Sequence, residues 1–206
     1  MIKVLNLYAG IGGNRKLWTD VDVTAVELNP EIAKIYQDFF PNDKVIIGDA
    51  HQYLLENHKK FDFIWSSPVC ISHSRIRNEA GVGCGQNEAI YPDMALYEEI
   101  IFLNYFFEGK WVVENVIGYY PPLIKPVIYK EHYFWANFPI IGKQHANRGH
   151  MGSMHDLRKI KGFDLIQYKK QIDERKLLRN CTEPETGKYI LDCATKGGQL
   201  QLPIEP

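Results

Sequence analysis

Cys70 lies in Ser66-Ser67-Pro68-Val69-Cys70-Ile71-Ser72-His73-Ser74, just past an apolar run and ahead of a polar loop carrying Arg75 and Arg77. A free cysteine is most often a small buried hydrophobe. This setting, at a strand end and near cations, instead favours an exposed, activated thiolate acting as a nucleophile. Glu114-Asn115 follows Trp111-Val112-Val113 directly. Burial at a sheet edge would raise the pKa of such a carboxyl; a plain helix cap is the alternative. Gly10-x-Gly12-Gly13 closes the first apolar run. Glycines there let backbone approach a ligand where a Cβ would clash, although many α/β chains have a Gly-rich first turn. Glu27 suits two ribose hydroxyls or caps the next helix. Asp49 suits an adenine amino group or serves as an N-cap. Gly-rich turn, acid and acid at three successive strand ends suit a nucleoside-containing cofactor. The chain has no GxxxxGK[ST], so a phosphate-cradling loop is not supported.

The elements that must position these residues alternate along the first 115 residues. Strands are expected over Ile2–Tyr8, Val21–Glu27, Lys44–Ile47, Phe61–Ser66 and Trp111–Val113, and helices over Asn14–Asp20, Pro30 to about Phe40, about Ala50 to Asn57, and Pro92–Phe107. Asn29 is the expected N-cap, with Pro30 at the first helical position. Strands and helices in this order predict an α/β fold with a Rossmann-like, mostly parallel sheet and helices on both faces. Ligands of such sheets bind at the carboxyl ends of the strands, where the residues above fall. Beyond residue 115 the pattern weakens: Tyr129–Phe138 reads as a strand or hairpin, and Tyr168–Leu178 as a basic helix that either contacts phosphates or is simply solvated.

Residues 1–120 carry 10 Lys/Arg against 16 Asp/Glu, residues 121–180 carry 12 against 5, and residues 181–206 carry 2 against 4, for a net charge of −1. The net charge argues against a strongly basic nucleic-acid binder, whereas the basic segment suits a polyanion surface or a solvated face. No apolar run reaches the roughly 18 residues a membrane span needs. The amino terminus has neither the charge nor the cleavage pattern of a signal peptide, so none is expected. Cys70, Cys84, Cys181 and Cys193 are scattered without CxxC spacing, so neither a disulfide framework nor a zinc module is expected. His145, His150 and His155 with Cys181 match no ligand spacing, and no metal is expected.

Together the chain resembles the DNA cytosine-C5 methyltransferase family, in order, through Leu5–Gly13, Glu27-Leu28-Asn29-Pro30, Gly48-Asp49-Ala50, Ser67-Pro68-Val69-Cys70 and Glu114-Asn115-Val116. Pro92–Tyr97, His132–Phe138 and Leu178–Cys181 look like segments of short phage- or prophage-type members. The resemblance implies the S-adenosylmethionine-dependent methyltransferase fold and S-adenosylmethionine as methyl donor. It assigns Tyr8, Ala9, Gly10, Gly12, Gly13, Glu27, Leu28, Asp49, Ala50 and Pro68 to the cofactor, with Gly10 and Gly12 near its methionine part, Glu27 at the ribose and Asp49 at the adenine. It assigns Cys70, Glu114, Asn115 and His132 to catalysis on C5 of a flipped-out cytosine through a covalent Cys70 adduct. Ser72, Ser74, Arg75, Arg77 and Lys130 are assigned to DNA, and the loop of residues 72–90 would close over the flipped base. The chain departs from the family at Val69 and Ile71, where proline and glutamine are usual. Lys130-Glu131-His132 is the best placement of the Arg-x-Arg pair, and no match to the C-terminal asparagine motif is found.

The expected organisation is a catalytic domain over residues 1–140 and a basic extension over 141–206, a reduced recognition element on the same domain. The implied partner is cytosine-containing DNA, with a homodimer or a separate specificity subunit open, no membrane, and a cytoplasmic setting in a bacterial cell. Two other readings stay open: an RNA or nucleotide cytosine methyltransferase, and a non-catalytic cofactor- or DNA-binding module.

Overall fold

The computed structural model describes residues 1–75, 88, 90–141, 153–169 and 172–196. Its sheet is built from β1 (Ile2–Leu7), β2 (Val21–Glu27), β3 (Lys44–Ile47), β4 (Phe63–Ser66), β5 (Lys110–Val116), β6 (Val127–Tyr129) and β7 (His132–Ala136). The spatial order is β3-β2-β1-β4-β5-β7-β6. The first five are mutually parallel, and β7 pairs antiparallel with both β5 and β6. β1 lies between β2 and β4, so its carboxyl end faces the middle of the sheet's upper edge. This is the expected α/β class with a mostly parallel sheet, extended at one edge by the antiparallel β6–β7 hairpin.

Helices cover both faces. α1 (Pro30–Phe39) and α2 (Ala50–Asn57) begin where the sequence says they should. Asn29 Oδ1 accepts from the backbone N–H groups of Glu31 at 2.8 Å and Ile32 at 3.2 Å, and Asp49 Oδ1 from that of Gln52 at 2.8 Å. Such caps contribute about 1 kcal/mol each. α2 and α3 (Ala95–Phe106) pack on one face, where Leu54, Leu96, Ile100 and Leu103 meet Leu5, Leu7, Ile64 and Val113. α6 (Pro184–Lys196) packs on the other, where Ile190 and Leu191 meet Val4, Trp18, Phe63, Trp65 and Phe134. α1 shares that face through Tyr36 against Ala25. α4 (Met154–Lys161) and α5 (Glu174–Asn180) close over α1, with Leu157, Phe163, Leu165 and Leu178 clustered on Ile11 and Ile35. Each large apolar side chain buried this way stabilises by about 1.5–3 kcal/mol.

Four expectations about elements are corrected. Residues 14–20 form turns, not a helix: Lys16 N–H bonds Gly13 O, and Trp18 N–H bonds Arg15 O. Competing tertiary ties explain this, because Asn14 pairs with Asn6, Arg15 with Asp43, and the Trp18 indole N–H with Gly187 O at 2.9 Å. Glu114 and Asn115 do not follow β5 but lie within it, because pairing with β7 runs on to Val116↔His132. The basic helix over 168–178 is instead a 3-10 turn at Ile166–Tyr168 followed by α5, whose start is fixed by Asp173 accepting from Lys176 N–H. Tyr8 lies outside β1, at a positive φ of 54°.

Candidate active site

The chain leaves β1 through Tyr8, then turns at Gly10 (φ +55°) and Gly12 (φ +81°). A Cβ on Gly10 would meet nothing within 4 Å, so this glycine faces open space. Gly13 is different. A Cβ there would stand 2.1 Å from Cys181 Sγ and 2.2 Å from Thr182 O, so this glycine admits the chain's own C-terminal segment rather than a ligand. Glu27 braces the turn: its Oε2 accepts from Gly10 N–H at 2.9 Å and its Oε1 from Asn29 N–H at 2.9 Å. Each oxygen retains a lone pair. Both alternatives read from the sequence for Asp49 are compatible with its geometry: it caps α2 through Oδ1, and Oδ2 makes no hydrogen bond with the described residues. Ala50 opens α2 and is buried. Leu28 and Ile47 expose 70% and 60% of their surface, and register places Ile47 beside Glu27. These strand ends therefore present apolar faces and acceptors together.

Across β4, Pro68 is buried and Cys70 half-buried. Asn115 donates from Nδ2 to Pro68 O at 3.0 Å and accepts from Val116 N–H at 2.9 Å, which fixes the loop that carries the cysteine. His73 N–H bonds Cys70 O at 3.0 Å. Burial, aided by the charge on Glu114, pushes the Cys70 thiol above its ordinary value. The expected exposure is thus corrected to a half-buried thiol, whose burial disfavours the thiolate. Glu114 is buried and fully engaged. Ser67 Oγ donates to its Oε2 at 2.8 Å while accepting from the Trp65 indole at 2.8 Å; Thr182 Oγ1 donates to the same oxygen at 3.2 Å; His132 Nε2 lies 3.4 Å from Oε1.

A profile of the C-5 cytosine-specific DNA methylase family matches residues 2–116, more than half of the chain. The chain belongs to this family. No curated protein matches it. Among solved structures it is similar to a DNMT2 mutant of Spodoptera frugiperda, at 25% identity and a TM-score of 0.42, covering 56% of this chain and 36% of that one. It is also similar to a SAM-dependent methyltransferase from Agrobacterium tumefaciens, at 14% identity and 0.42, covering 58% and 40%. A third is SMU.776 in complex with SAH, at 15% identity and 0.39, covering 55% and 31%. The chain thus spans only about a third of the DNMT2 chain's length.

Within this methylase fold, the residues expected at the cofactor and those expected at the cysteine gather at one sheet edge. The residues expected at DNA are less uniform. Ser72 is buried, its hydroxyl accepting from Asp93 N–H at 3.1 Å. Ser74 bridges to Gly118, Arg75 is exposed, and Arg77 lies outside the described residues. Lys130, at the β6–β7 turn with φ 51°, pairs with Glu183 at 2.8 Å. Arg158 likewise forms a bidentate pair with Glu174 at 2.7 and 2.8 Å, so part of the basic charge of residues 121–180 is neutralised internally. Among the described residues no cluster of His, Cys, Asp or Glu could hold a metal, and no helix is long and apolar enough to cross a membrane. Ser67 and Thr182 escape the sequence reading. Ser67 lies within the recognised Ser67-Pro68-Val69-Cys70 motif, and its role could have been found there. Thr182 could not, because 68 residues separate it from Glu114.

Proposed function

We propose that this chain transfers a methyl group from S-adenosylmethionine to C5 of a flipped-out cytosine in DNA, through a covalent adduct of Cys70. The observation that carries the reading is the meeting of Cys70 and the buried Glu114 at the sheet edge that also holds the Gly10 turn, Glu27 and Asp49. The residues fit a nucleoside-containing donor. Gly10 leaves space for close approach, Glu27 keeps lone pairs for two hydroxyls, and Leu28 and Ile47 offer apolar faces beside Asp49. Bound S-adenosylmethionine would supply an electrophilic methyl group.

The chain's own part is to make cytosine C5 nucleophilic. The Glu114 carboxylate takes the Cys70 thiol proton as Sγ adds to C6 and passes it to N3, so the ring accepts the new bond without a build-up of charge. After methylation solvent water takes the C5 proton, Cys70 is expelled as a thiolate, and the N3 proton returns to it through Glu114. Ser67, Thr182 and His132 keep the Glu114 carboxyl oriented through these steps, and Asn115 keeps the cysteine loop in register. Unstacking the base costs a few kcal/mol, recovered by contacts in the site. The exposed Val69 and Ile71, flanking Cys70, present apolar surface to that base.

The test is methyl transfer from labelled S-adenosylmethionine to duplex DNA, single-stranded DNA, RNA and dCMP. The expected result is label in DNA that disappears with Cys70→Ala and with Glu114→Gln. Label surviving Cys70→Ala would refute the covalent route, and label in RNA or dCMP alone would refute the DNA substrate.

A further inference from the structure

Glu99 has no exposed surface, comes from the middle of α3, and belongs to none of the site segments described above. Its carboxylate nevertheless ties three of them together. Oε1 accepts from the Tyr8 hydroxyl at 2.5 Å, and Oε2 accepts from the Ser66 hydroxyl. His51 Nδ1 lies 3.4 Å from Oε1, and the other imidazole nitrogen lies 3.6 Å from Glu98. Each of these three partners sits next to a site segment in sequence. Tyr8 precedes the Gly10 turn, Ser66 precedes Ser67–Cys70, and His51 follows Asp49-Ala50.

Tyr8 carries a second mark. Its φ of 54° is in the left-handed region, where a bulky residue is a strained outlier. Such a conformation persists only where surrounding structure over-determines it. The Tyr8 ring is packed on the α2–α3 core, and its hydroxyl is anchored on Glu99. Burial and the Glu99 carboxylate push that hydroxyl well above its ordinary value, so it remains a donor. Burial pushes the Glu99 carboxyl above its ordinary value, opposed by its hydrogen bonds from Ser66 and Tyr8, and the bond from Tyr8 works against the backbone strain.

We propose that Glu99 is a positioning residue for the methyl-donor site: its buried carboxylate holds Tyr8 in the strained turn that aims the Gly10 backbone, and locks that turn to the cysteine loop and to the start of α2. This rests on the reading of the strand ends as the donor site. Glu99 touches no donor atom itself and acts through Tyr8. Converting it to an amide turns one acceptor into a donor that faces hydroxyls already donating.

The experiment is calorimetric titration of S-adenosylhomocysteine into the full chain, native and with Tyr8→Phe, Glu99→Gln and both changes, with thermal melts of each. Each single change is expected to weaken binding about tenfold while the protein stays folded at the titration temperature. The double change is expected to weaken it about tenfold as well, since both act on one link. Native-like affinity in either single variant, or a hundredfold loss in the double, would overturn the proposal; a purely structural Glu99 would lower the melt and leave the affinity alone. If Glu99→Gln does not fold, Glu99→Asp replaces it, with the same tenfold loss expected from a carboxylate too short to reach Tyr8. Failure of the native protein to bind would overturn the donor-site reading itself, and is seen before any variant is titrated.

Discussion

Replacing Gly13 with alanine should separate the C-terminal segment from the cysteine side of the site. The new Cβ would stand 2.1 Å from Cys181 Sγ and 2.2 Å from Thr182 O. Cys181 is buried, and the Thr182 oxygen is backbone, so neither can swing away as a flexible side-chain end would. Overpacking of a filled interior costs about 1–3 kcal/mol, and a clash with backbone belongs at the upper end. At about 2–4 °C per kcal/mol for a chain of this size, a cost of about 3 kcal/mol lowers Tm by about 6–12 °C. The hydrogen bond from Thr182 to Glu114 would go with it. Gly10→Ala is the matched control. Its Cβ meets nothing, so only the positive φ is charged against it, about 1 kcal/mol or about 2–4 °C. The two variants should therefore rank oppositely in two assays. By thermal denaturation Gly13→Ala is the worse, whereas by S-adenosylhomocysteine titration of folded protein Gly10→Ala loses more, because its methyl intrudes on the open side of the turn. A Gly13→Ala protein melting within 2 °C of the native one would refute the reasoning, since the chain would then have room where the structure leaves none.

Cys70 is pushed up by burial and by Glu114, so its alkylation by iodoacetamide, read by peptide mass spectrometry, should rise with pH to a midpoint above that of an ordinary thiol. Glu114→Gln removes the like charge and should speed alkylation several-fold at fixed pH near 8, while the proposed mechanism expects it to abolish methyl transfer; an unchanged rate would deny the coupling. Thr182→Val keeps the shape but removes one donor to Glu114, and should cost about 1 kcal/mol of stability and about tenfold in turnover, measured by melts and by initial rates. Arg158 holds the Glu174 carboxyl below its ordinary value. The stability this supplies is fully present above the ordinary carboxylate range and is lost as pH falls through the lower folded value. Arg158→Ala should therefore melt below the native protein at pH 7 and coincide with it near pH 3; a gap that persists at pH 3 would point to lost packing instead of charge.

The parts of the fold that sequence reasoning reached are those written locally. β1, β2 and β4 are covered on both faces, and strands so placed read as near-continuous apolar runs. Asn29-Pro30 and Asp49 announce their helices within three residues. What it missed is set by partners far along the chain. Whether Glu114 follows a strand or lies inside one depends on pairing with β7, about 20 residues later. Residues 14–20 look helical alone, but their backbone is pressed against α6, where a Cβ on Gly187 would stand 2.1 Å from Asn14 O. The sequence places Cys70 just past a strand end, but the burial and the carboxylate 44 residues away that push its thiol up are not revealed by its neighbours.

The departures from the family pattern gain a physical account in the same way. A second proline before the cysteine would stiffen the loop through the backbone; with Val69 there, the stiffness comes from side-chain and main-chain hydrogen bonds, Asn115 to Pro68 O below and His73 N–H to Cys70 O above. The two positions best matched to the family's arginine pair are occupied by Lys130 and His132, and each has found a carboxylate: Lys130 grips Glu183, the residue that leads into α6, and His132 faces Glu114. Neither can offer the bidentate fork of an arginine. What they do instead is join the β6–β7 hairpin to both the C-terminal helix and the buried acid, so that Thr182, one residue before Glu183, is delivered to Glu114 from the same side. On this account the hairpin, the turn before α6 and the acid form one unit. Loosening any one of them should loosen the orientation of Glu114 before it loosens the sheet.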